Sequence, residues 1–311
     1  MNLHIETPLL PSRALSLESR RSVWLKLEAL QPSGSFKLRG VGHACTHYAR
    51  QGARRFISSS GGNAGLATAY AGRRLEIPVT VVVPETTPER ATELLAREQA
   101  EVRVHGASWQ EANELALSLL GKNDAFLHPF DDPLLWQGHA GLIDEVAAAG
   151  LKPDAIILAV GGGGLLCGVA QGLHRHGWDE LPIIAVETEG TASFHGAVEA
   201  GRLVKLAKIS GVATSLGANQ VCAQALQWVG RHPVTTTLVS DRSALSACER
   251  FLDDHRLLVE PACGAALAVA YEETALLERY RTVLVVVCGG ATATSEQLRQ
   301  WRRQTAHQPL S

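Results

Sequence analysis

Hydrophobic and polar residues alternate along the chain with two different periods. Short runs rich in Val, Ile and Ala are followed by longer stretches in which apolar residues recur every three or four positions. The short runs are typical of strands in a parallel sheet, and the longer stretches are typical of helices that cover both faces of such a sheet. The chain is therefore predicted to be an α/β protein built on doubly wound open sheets.

The predicted elements fall into two sets. The first contains strands at residues 55–59, 79–84, 102–105 and 125–127, with helices at 63–74 and 89–99. The second contains strands at residues 155–160, 183–187 and 282–288, with helices at 134–149, 165–176, 243–254 and 263–278. Between them lies HPFDDPLL (128–135), whose prolines and paired aspartates are typical of a crossing segment. A domain boundary is expected near this segment.

Composition and charge favour a globular protein with a small ligand. Of the 311 residues, 46% are hydrophobic and 19% are charged, which excludes a mostly disordered chain. The formal charge of -2 provides no field for a polyanion and argues against nucleic acid as a partner. No apolar run reaches the roughly 20 residues needed to cross a bilayer, and the N-terminal residues carry no export or transit signal. A cytoplasmic protein with no membrane partner is expected.

A lysine follows a turn rich in Ser and Gly within PSGSFKLRG (32–40). A single lysine most often faces solvent. Here Phe36 and the small residues before it indicate a partly buried turn, in which a desolvated amine has a lowered pKa and becomes a nucleophile able to form a Schiff base. Lys37 is therefore a candidate catalytic residue.

Two glycine-rich segments follow predicted strands and open predicted helices, where an anion can bind main-chain N–H groups. SSSGGNAG (58–65) offers hydroxyls and glycines to a carboxylate or a phosphate, although an N-cap with a tight turn explains it equally well. GGGG (161–164) predicts a phosphate cup. Its main-chain N–H groups and the helix dipole would hold the phosphate, because no Lys or Arg stands nearby.

The GGGG segment matches neither of two common nucleotide-binding motifs. A G-x-G-x-x-G pattern would need glycine where Leu166 or Cys167 stands, and no G-K-[ST] follows. However, Glu187 ends the next predicted strand, roughly where an acid that binds a ribose would lie. A nicotinamide-dependent oxidoreductase is therefore the alternative interpretation.

A cysteine ends the last buried strand in VLVVVCGGATA (283–293). Cys288 either fills space as a small apolar residue or meets a ligand's ring nitrogen as an uncharged partner. The other five cysteines also stand singly, without a C-x-x-C pair, which suits reduced thiols. His43, Cys45 and His47 share one helical stretch but lack a fourth ligand, so a solvated helix face is favoured over a metal site.

Four segments together resemble the pyridoxal-phosphate (PLP) enzymes of the tryptophan synthase β fold type, also called fold type II. These are Ser-Phe-Lys at 35–37, SSSGGNAG, GGGGLLCG at 161–168 and CGG at 288–290, in the family's order. The similarity is greatest to the L-serine/L-threonine dehydratase branch and extends from TPLL at residue 7 through FDDPLLWQGHA and VEPACGAALA. It implies a large domain formed by residues 1–37 and 135–311, and a small domain formed by residues 38–134.

The resemblance also implies roles for individual residues. Lys37 would hold the cofactor as a Schiff base and then remove the substrate's Cα proton, and Ser60 is the second candidate catalytic residue. The positions that match the family's cofactor contacts are Phe36 against the ring, Asn63 at the ring hydroxyl, Cys288 at the ring nitrogen, and Gly161, Gly162, Gly163, Gly164 and Leu165 at the phosphate. The positions that match its substrate-carboxylate loop are Ser60, Gly61, Gly62, Asn63 and Ala64.

The implied ring partner bears on the type of reaction. A neutral thiol stabilises a pyridinium less well than a carboxylate does, so β-elimination is favoured over transamination. L-Serine or L-threonine would then yield pyruvate or 2-oxobutanoate plus ammonia. Serine racemisation, a sister activity, needs a second base, and Gly61 stands where that base would be. A binding protein that keeps the pocket without turnover is a third interpretation.

The resemblance further implies a monovalent cation, such as potassium, behind the phosphate cup. The matching positions are Glu187 and Ser193 together with Gly161, Thr191, Leu216 and Ala218. This match gives Glu187 a role other than ribose binding. Enzymes of this fold type are commonly dimeric, so a homodimer that acts on a small amino acid is expected.

Overall fold

A six-stranded sheet and a four-stranded sheet form the framework of the computed structural model, which describes residues 2–272 and 274–307. The strands in these residues are β1 (Leu9–Pro11), β2 (Ser22–Lys26), β3 (Arg55–Ser58), β4 (Val79–Val83), β5 (Glu101–Val104), β6 (Asp124–Phe126), β7 (Ala155–Ala159), β8 (Ile183–Thr188), β9 (Val234–Val239) and β10 (Thr282–Val286). The helices are α1 (Arg13–Ser19), α2 (Lys37–Arg50), α3 (Asn63–Leu75), α4 (Glu89–Arg97), α5 (Trp109–Ser118), α6 (Pro133–Ala148), α7 (Gly164–Arg175), α8 (Ser193–Ala200), α9 (Ala223–Val229), α10 (Asp241–His255), α11 (Pro261–Glu272), α12 (Thr274–Leu277) and α13 (Ser295–Thr305). Short 3₁₀ turns lie at Glu28–Leu30, Glu189–Thr191 and Thr214–Leu216.

The larger sheet brings three strand ends to one edge. Its strand order is β1-β2-β10-β7-β8-β9, and all neighbours are parallel except the antiparallel pair β1–β2. Leu284 of β10 pairs with Trp24 of β2 and with Ile156 of β7. Because β7, β8 and β10 run in the same direction, the turns that follow them meet at the carboxyl edge, where open α/β sheets bind ligands.

The smaller sheet is parallel throughout and has the order β5-β4-β3-β6. Its inner strand β3 pairs Phe56 with Val79 of β4 and with Ala125 of β6. The carboxyl end of β3 leads into the SSSGG segment and then into α3. The helix α2 packs against both α3 and α6, so it joins the helical layers of the two sheets.

The inner strands are buried because helices cover both faces of each sheet. Every residue of β4, β7 and β8 is buried, which explains why these strands are mostly apolar in the sequence. The helix α11 is buried from Pro261 to Tyr271 and packs against β7, β8 and α10. A helix that is apolar on all sides belongs in such a core.

A buried ionic cluster fixes the start of α2. The guanidinium of Arg39, which is fully buried, bonds to the Glu28 carboxylate at 2.7 Å from Nε and 2.8 Å from Nη2. Its Nη1 bonds to Glu145 Oε1 at 2.6 Å, and Lys26 also pairs with Glu145. Each charge therefore has an opposite partner, as burial requires. Because Arg39 follows Lys37 by two positions, this cluster holds the first turn of α2 in place.

The predicted α/β class with two mainly parallel sheets is confirmed. Each of the seven predicted strands is present within two residues of its expected ends. The helix expected at 263–278 begins at Pro261 instead, and residue 273 within it lies outside the described residues. The domain boundaries at 37/38 and 134/135 stay a prediction. In the described residues, no helix has both the length and the apolar character needed to cross a membrane.

The sequence pattern did not predict β1, β2 and β9, which all lie on the outer parts of the larger sheet. β1 contains three residues, one of them Pro11, and lies at the edge of the sheet. β9, with the sequence VTTTLV, is mostly half-buried at the opposite edge. Short or polar edge strands give little hydrophobic signal, because only part of their surface is covered.

Candidate active site

Lys37 is the first residue of α2, and the turn before it is bonded to the segment after β10. The Phe36 N–H donates to the Cys288 carbonyl oxygen at 3.0 Å, and the Gly290 N–H donates to the Gly34 carbonyl oxygen at 3.0 Å. The Lys37 amine donates to the Pro129 carbonyl oxygen at 2.5 Å. Burial lowers the pKa of Lys37 to about 8, against the opposing effects of Cys288 and Glu260. In a fraction of the molecules the Lys37 amine is thus uncharged near neutral pH, and the uncharged amine is the form that acts as a nucleophile.

The CGG segment needs its glycines because other chain segments approach it closely. Gly289 and Gly290 have φ values of +123° and +146°. A Cβ on Gly289 would lie 2.4 Å from the Gly34 carbonyl oxygen, and a Cβ on Gly290 would lie 2.5 Å from the Glu260 nitrogen. A hydrogen bond between the Cys288 and Cys263 side chains, together with burial, raises the pKa of Cys288 well above its usual value. Cys288 therefore presents a neutral thiol.

The GGGG turn lies between β7 and the first turn of α7. Gly163 has a φ of +91°, and a Cβ there would lie 2.7 Å from the Ala225 Cβ. A Cβ on Gly162 would lie 2.1 Å from the Phe130 ring. The first N–H groups of a helix have no partner inside the helix, so Gly164 and Leu165 at the start of α7 stand where an anion can be bound.

The SSSGGNAG segment connects β3 to α3 and reaches the larger sheet through one side chain. Asn63 Nδ2 donates to Glu260 Oε1 at 2.7 Å, and the Ala291 N–H donates to Asn63 Oδ1 at 3.3 Å. Ser60 Oγ accepts from the Gly62 N–H at 3.3 Å, which holds the turn in shape. A Cβ on Gly61 would lie 2.9 Å from Thr87 Cγ2. Ala64 is buried in the first turn of α3.

Glu187 lies near the end of β8 and faces the start of α8. Its carboxylate accepts from the Phe194 N–H at 2.9 Å and from the His195 N–H at 2.7 Å. Burial raises the pKa of Glu187 to about 7, although these N–H groups oppose that shift. Ser193 Oγ is buried and has no hydrogen-bond partner among the described residues. Within the same part of the chain, no group of three or more His, Cys, Asp or Glu side chains is arranged as a metal centre.

The other positions predicted for a cation lie in two nearby turns. Thr191 Oγ1 donates to the Thr188 carbonyl oxygen at 3.2 Å, in the turn between Glu187 and Ser193. A Cβ on Gly161 would lie 3.1 Å from Leu216 Cα, and the Ala218 N–H donates to the Leu216 carbonyl oxygen at 2.7 Å. The structure thus brings Gly161 against Leu216 and groups Thr191 with Glu187 and Ser193.

A chain of contacts connects the residues predicted to bind the cofactor. The turn at 34–36, which precedes Lys37, bonds to the CGG segment through Phe36 and Cys288. Asn63 bonds to Glu260, whose charge acts on Lys37. The glycine turn joins them through the crossing segment, since Pro129 bonds to Lys37 and Phe130 covers Gly162.

Glu260 and Phe130 were not predicted as site residues. The signal for Glu260 was a single acid within the apolar run LLVEPACGAALA.

This arrangement defines a PLP-dependent enzyme, and residues 1–289 match the family model described as "Pyridoxal-phosphate dependent enzyme". The chain belongs to this family. It is 49% identical to the L-serine dehydratase/L-threonine deaminase of Mus musculus, over 97% of this chain and 96% of that protein. The protein of the same name from Homo sapiens is also 49% identical, over 97% of this chain and 95% of that protein.

A solved structure agrees with these sequence relatives. A fungal L-serine ammonia-lyase from Rhizomucor miehei has a TM-score of 0.93 and 36% identity to this chain, and the match covers 98% of this chain and 99% of that one. The predicted fold type II architecture is thereby confirmed.

Proposed function

We propose that this protein is a PLP-dependent L-serine/L-threonine ammonia-lyase. It converts L-serine to pyruvate and ammonia, or L-threonine to 2-oxobutanoate and ammonia. The observation that carries the proposal is the partly buried Lys37, whose pKa burial lowers to about 8 and whose charge is affected by Cys288 and Glu260. The Asn63 amide joins the same site through its bond to Glu260. The names of the relatives, which pair serine and threonine as substrates, point to the same reaction.

The residues of the site fit the cofactor. The Lys37 amine would bond to its aldehyde carbon, with the Phe36 ring nearby, since Lys37 Nζ lies 5.1 Å from the centroid of that ring. Asn63 would donate to the ring hydroxyl, and Cys288 would face the ring nitrogen. The phosphate would be bound by main-chain N–H groups of Gly161–Leu165 at the start of α7. The glycines of this turn let Phe130, Ala225 and Leu216 pack closely against it.

When bound, the cofactor supplies an electrophilic carbon and a conjugated ring that accepts electron density from the substrate's Cα. Lys37 is the base that removes the Cα proton, and a pKa near the working pH suits that task. Main-chain N–H groups of the Ser60–Ala64 loop orient the substrate carboxylate. The neutral Cys288 thiol leaves the ring nitrogen without a charged partner, which favours loss of the β-hydroxyl over transamination.

The alternatives are not favoured. In a nicotinamide enzyme, Glu187 would be free to bind a ribose, but its carboxylate is buried and accepts two N–H groups from α8. In a racemase, a second base would stand at Gly61, which has no side chain and adjoins Thr87. In a binding protein without turnover, Lys37→Ala would leave ligand affinity intact and there would be no ammonia release to lose; the experiment below measures that release.

The cation, the location and the oligomeric state are further parts of the proposal. The buried Ser193 hydroxyl, which has no hydrogen-bond partner among the described residues, supports a potassium site. The ion would lie between Glu187, Ser193 and the carbonyl groups of Gly161, Thr191, Leu216 and Ala218.

A cytoplasmic location is supported by six buried free thiols. A homodimer is supported by large apolar side chains exposed near the edge strand β1, and sedimentation equilibrium tests it.

Borohydride reduction followed by peptide mapping tests the function. We expect one reduced cofactor per chain on Lys37, and release of ammonia from L-serine, from L-threonine or from both. Lys37→Ala should abolish labelling and turnover, whereas Lys152→Ala, at a lysine beside Trp178, should leave both unchanged. A label on another lysine, or no label, would overturn the proposal.

A further inference from the structure

Glu260 is an acid at the site with no role in the mechanism above. It is 4% exposed and immediately precedes α11. Its carbonyl oxygen accepts from the Cys263 N–H at 2.8 Å and the Gly264 N–H at 2.9 Å, and its own N–H donates to the Gly289 carbonyl oxygen at 3.3 Å. A Cβ on Gly290 would lie 2.7 Å from Glu260 Cβ. The main chain therefore holds this side chain against the segment that carries Cys288.

The Glu260 carboxyl group joins three separate parts of the chain. Its Oε1 accepts from Asn63 Nδ2 at 2.7 Å. The side chains of Ser215, in a 3₁₀ turn, and Thr292, after the CGG segment, also form hydrogen bonds with it. Because an amide nitrogen can only donate, Glu260 is the acceptor in its bond with Asn63. The small sheet's loop is thus tied to the larger sheet at this carboxyl group.

The contact with Glu260 fixes which way the Asn63 amide points. Asn63 Oδ1 accepts from the Ala291 N–H, and one hydrogen of Nδ2 is used by Glu260. An amide nitrogen carries two hydrogens, so the second one is available to a ring hydroxyl. Without Glu260, only the 3.3 Å bond from the Ala291 N–H would hold the amide in this orientation, so its nitrogen would be held less firmly toward that hydroxyl.

Glu260 also lies near Lys37, because its N–H donates to the Gly289 carbonyl oxygen while the adjacent Cys288 carbonyl oxygen accepts from the N–H of Phe36, the residue before Lys37. Its carboxylate raises the pKa of Lys37, opposing the effect of burial. Burial raises the pKa of Glu260 itself to about 7, against hydrogen bonds from Ser215 and Asn63 and the charge of Lys37. The other titratable side chains that face it are the thiols of Cys248, Cys263 and Cys288.

The thiols of Cys248 and Cys288 stay neutral near neutral pH. Burial raises the pKa of Cys248, and the Cys263 hydrogen bond raises that of Cys288. Changes of charge around Glu260 near neutral pH therefore involve its own carboxyl group and the Lys37 amine.

We propose that Glu260 is a positioning residue, which helps to hold the Asn63 amide toward the cofactor's ring hydroxyl and whose carboxylate acts on the Lys37 amine. The first part rests on the proposed function, because the ring hydroxyl belongs to the cofactor. The second part concerns the protein alone. Two experiments separate the parts.

The first experiment measures the Lys37 amine in the full chain freed of cofactor. Competitive labelling with acetic anhydride across a pH series, read by mass spectrometry of the peptide that contains Lys37, gives its titration midpoint. Glu260→Gln keeps the size of the side chain and an oxygen acceptor but removes the charge, so we expect the midpoint to move to lower pH. Asp241→Asn, which also neutralises a buried carboxyl group, should leave it unchanged. An unchanged midpoint in Glu260→Gln would overturn the coupling to Lys37.

The second experiment uses the loaded enzyme and three variants. Glu260→Leu removes both acceptor and charge, so we expect about tenfold weaker cofactor binding and an altered cofactor absorbance. In Glu260→Gln the pH profile of kcat should lose an ionisation near neutral pH, with KM for L-serine changed less than kcat. Glu260→Asp, which restores the charge, should recover that ionisation.

The outcomes distinguish the two proposals. If wild-type protein is not labelled at Lys37 by borohydride, the proposed function fails. If it is labelled but the pH profile and cofactor absorbance of Glu260→Gln and Glu260→Leu match those of wild type, the function stands and the positioning role of Glu260 is overturned.

Discussion

Gly163→Ala tests whether the glycine turn after β7 has to be made of glycine. Gly163 has a φ of +91°, a conformation that costs an alanine about 1–2 kcal/mol. The added Cβ would also lie 2.7 Å from Ala225 Cβ, 2.9 Å from Val221 Cγ2 and 3.1 Å from Cys222 Sγ. Such overpacking costs about 1–3 kcal/mol. The two effects together predict a loss of about 2–5 kcal/mol in the free energy of unfolding.

Gly177→Ala is the matched control because it carries only the first of these effects. Gly177 also has a left-handed conformation, with a φ of +64°, but no atom lies within 4 Å of the position of its added Cβ. We therefore expect this variant to lose about 1–2 kcal/mol. The difference between the two variants isolates the contact of the glycine turn with α9 and the segment before it.

Urea unfolding followed by circular dichroism measures the stability of both variants, and titration with PLP measures cofactor affinity. Gly163→Ala should be less stable than Gly177→Ala by about 1–3 kcal/mol. It should also bind PLP at least about tenfold more weakly, since a shift at the start of α7 moves the N–H groups proposed to hold the phosphate. Equal stability of the two variants, with wild-type affinity in Gly163→Ala, would refute the steric argument.

Charged groups in and around the site give three more tests. The rate of PLP uptake by cofactor-free protein should rise with pH through about 8, because the deprotonated Lys37 amine is the nucleophile; a rate independent of pH contradicts this. Arg39→Met leaves Glu28 buried and unpaired, so urea unfolding should show a loss of about 3–5 kcal/mol. Arg302→Ala, at an exposed pair, should lose far less, and equal losses would contradict the argument. Glu187→Gln should weaken the stimulation of ammonia release by potassium relative to sodium; an unchanged ratio contradicts the cation proposal.

The positions of most site residues could be predicted because they follow buried parallel strands. GGGG follows β7, CGG follows β10 and SSSGGNAG follows β3. A fully buried strand gives a continuous apolar run, and a parallel sheet places the ends of such strands at one edge. A local sequence pattern was therefore enough to indicate where ligand-binding turns lie.

The partners of those residues could not be predicted, because they are distant in the sequence. Asn63 and Glu260 are separated by 197 positions, and Lys37 and Pro129 by 92. Their contacts arise from the packing of α11 under the larger sheet and from the path of the crossing segment. Nothing in the pattern around Phe130 indicates that its ring lies over Gly162.

The electrostatic character of the site follows from the same packing. The glycine turn provides uncharged N–H groups, and Cys288 stays a neutral thiol because the Cys263 hydrogen bond and burial raise its pKa. Once Lys37 is bonded to the cofactor, Glu260 is the carboxyl group in contact with Asn63 whose charge changes near neutral pH. Such a site would give the cofactor's ring nitrogen no anionic partner at Cys288. It places one titratable acid, Glu260, beside Asn63, the proposed donor to the ring hydroxyl. Under the proposed function this asymmetry favours elimination over transamination, and under the proposal for Glu260 its carboxyl group is one point at which pH acts on the loaded enzyme.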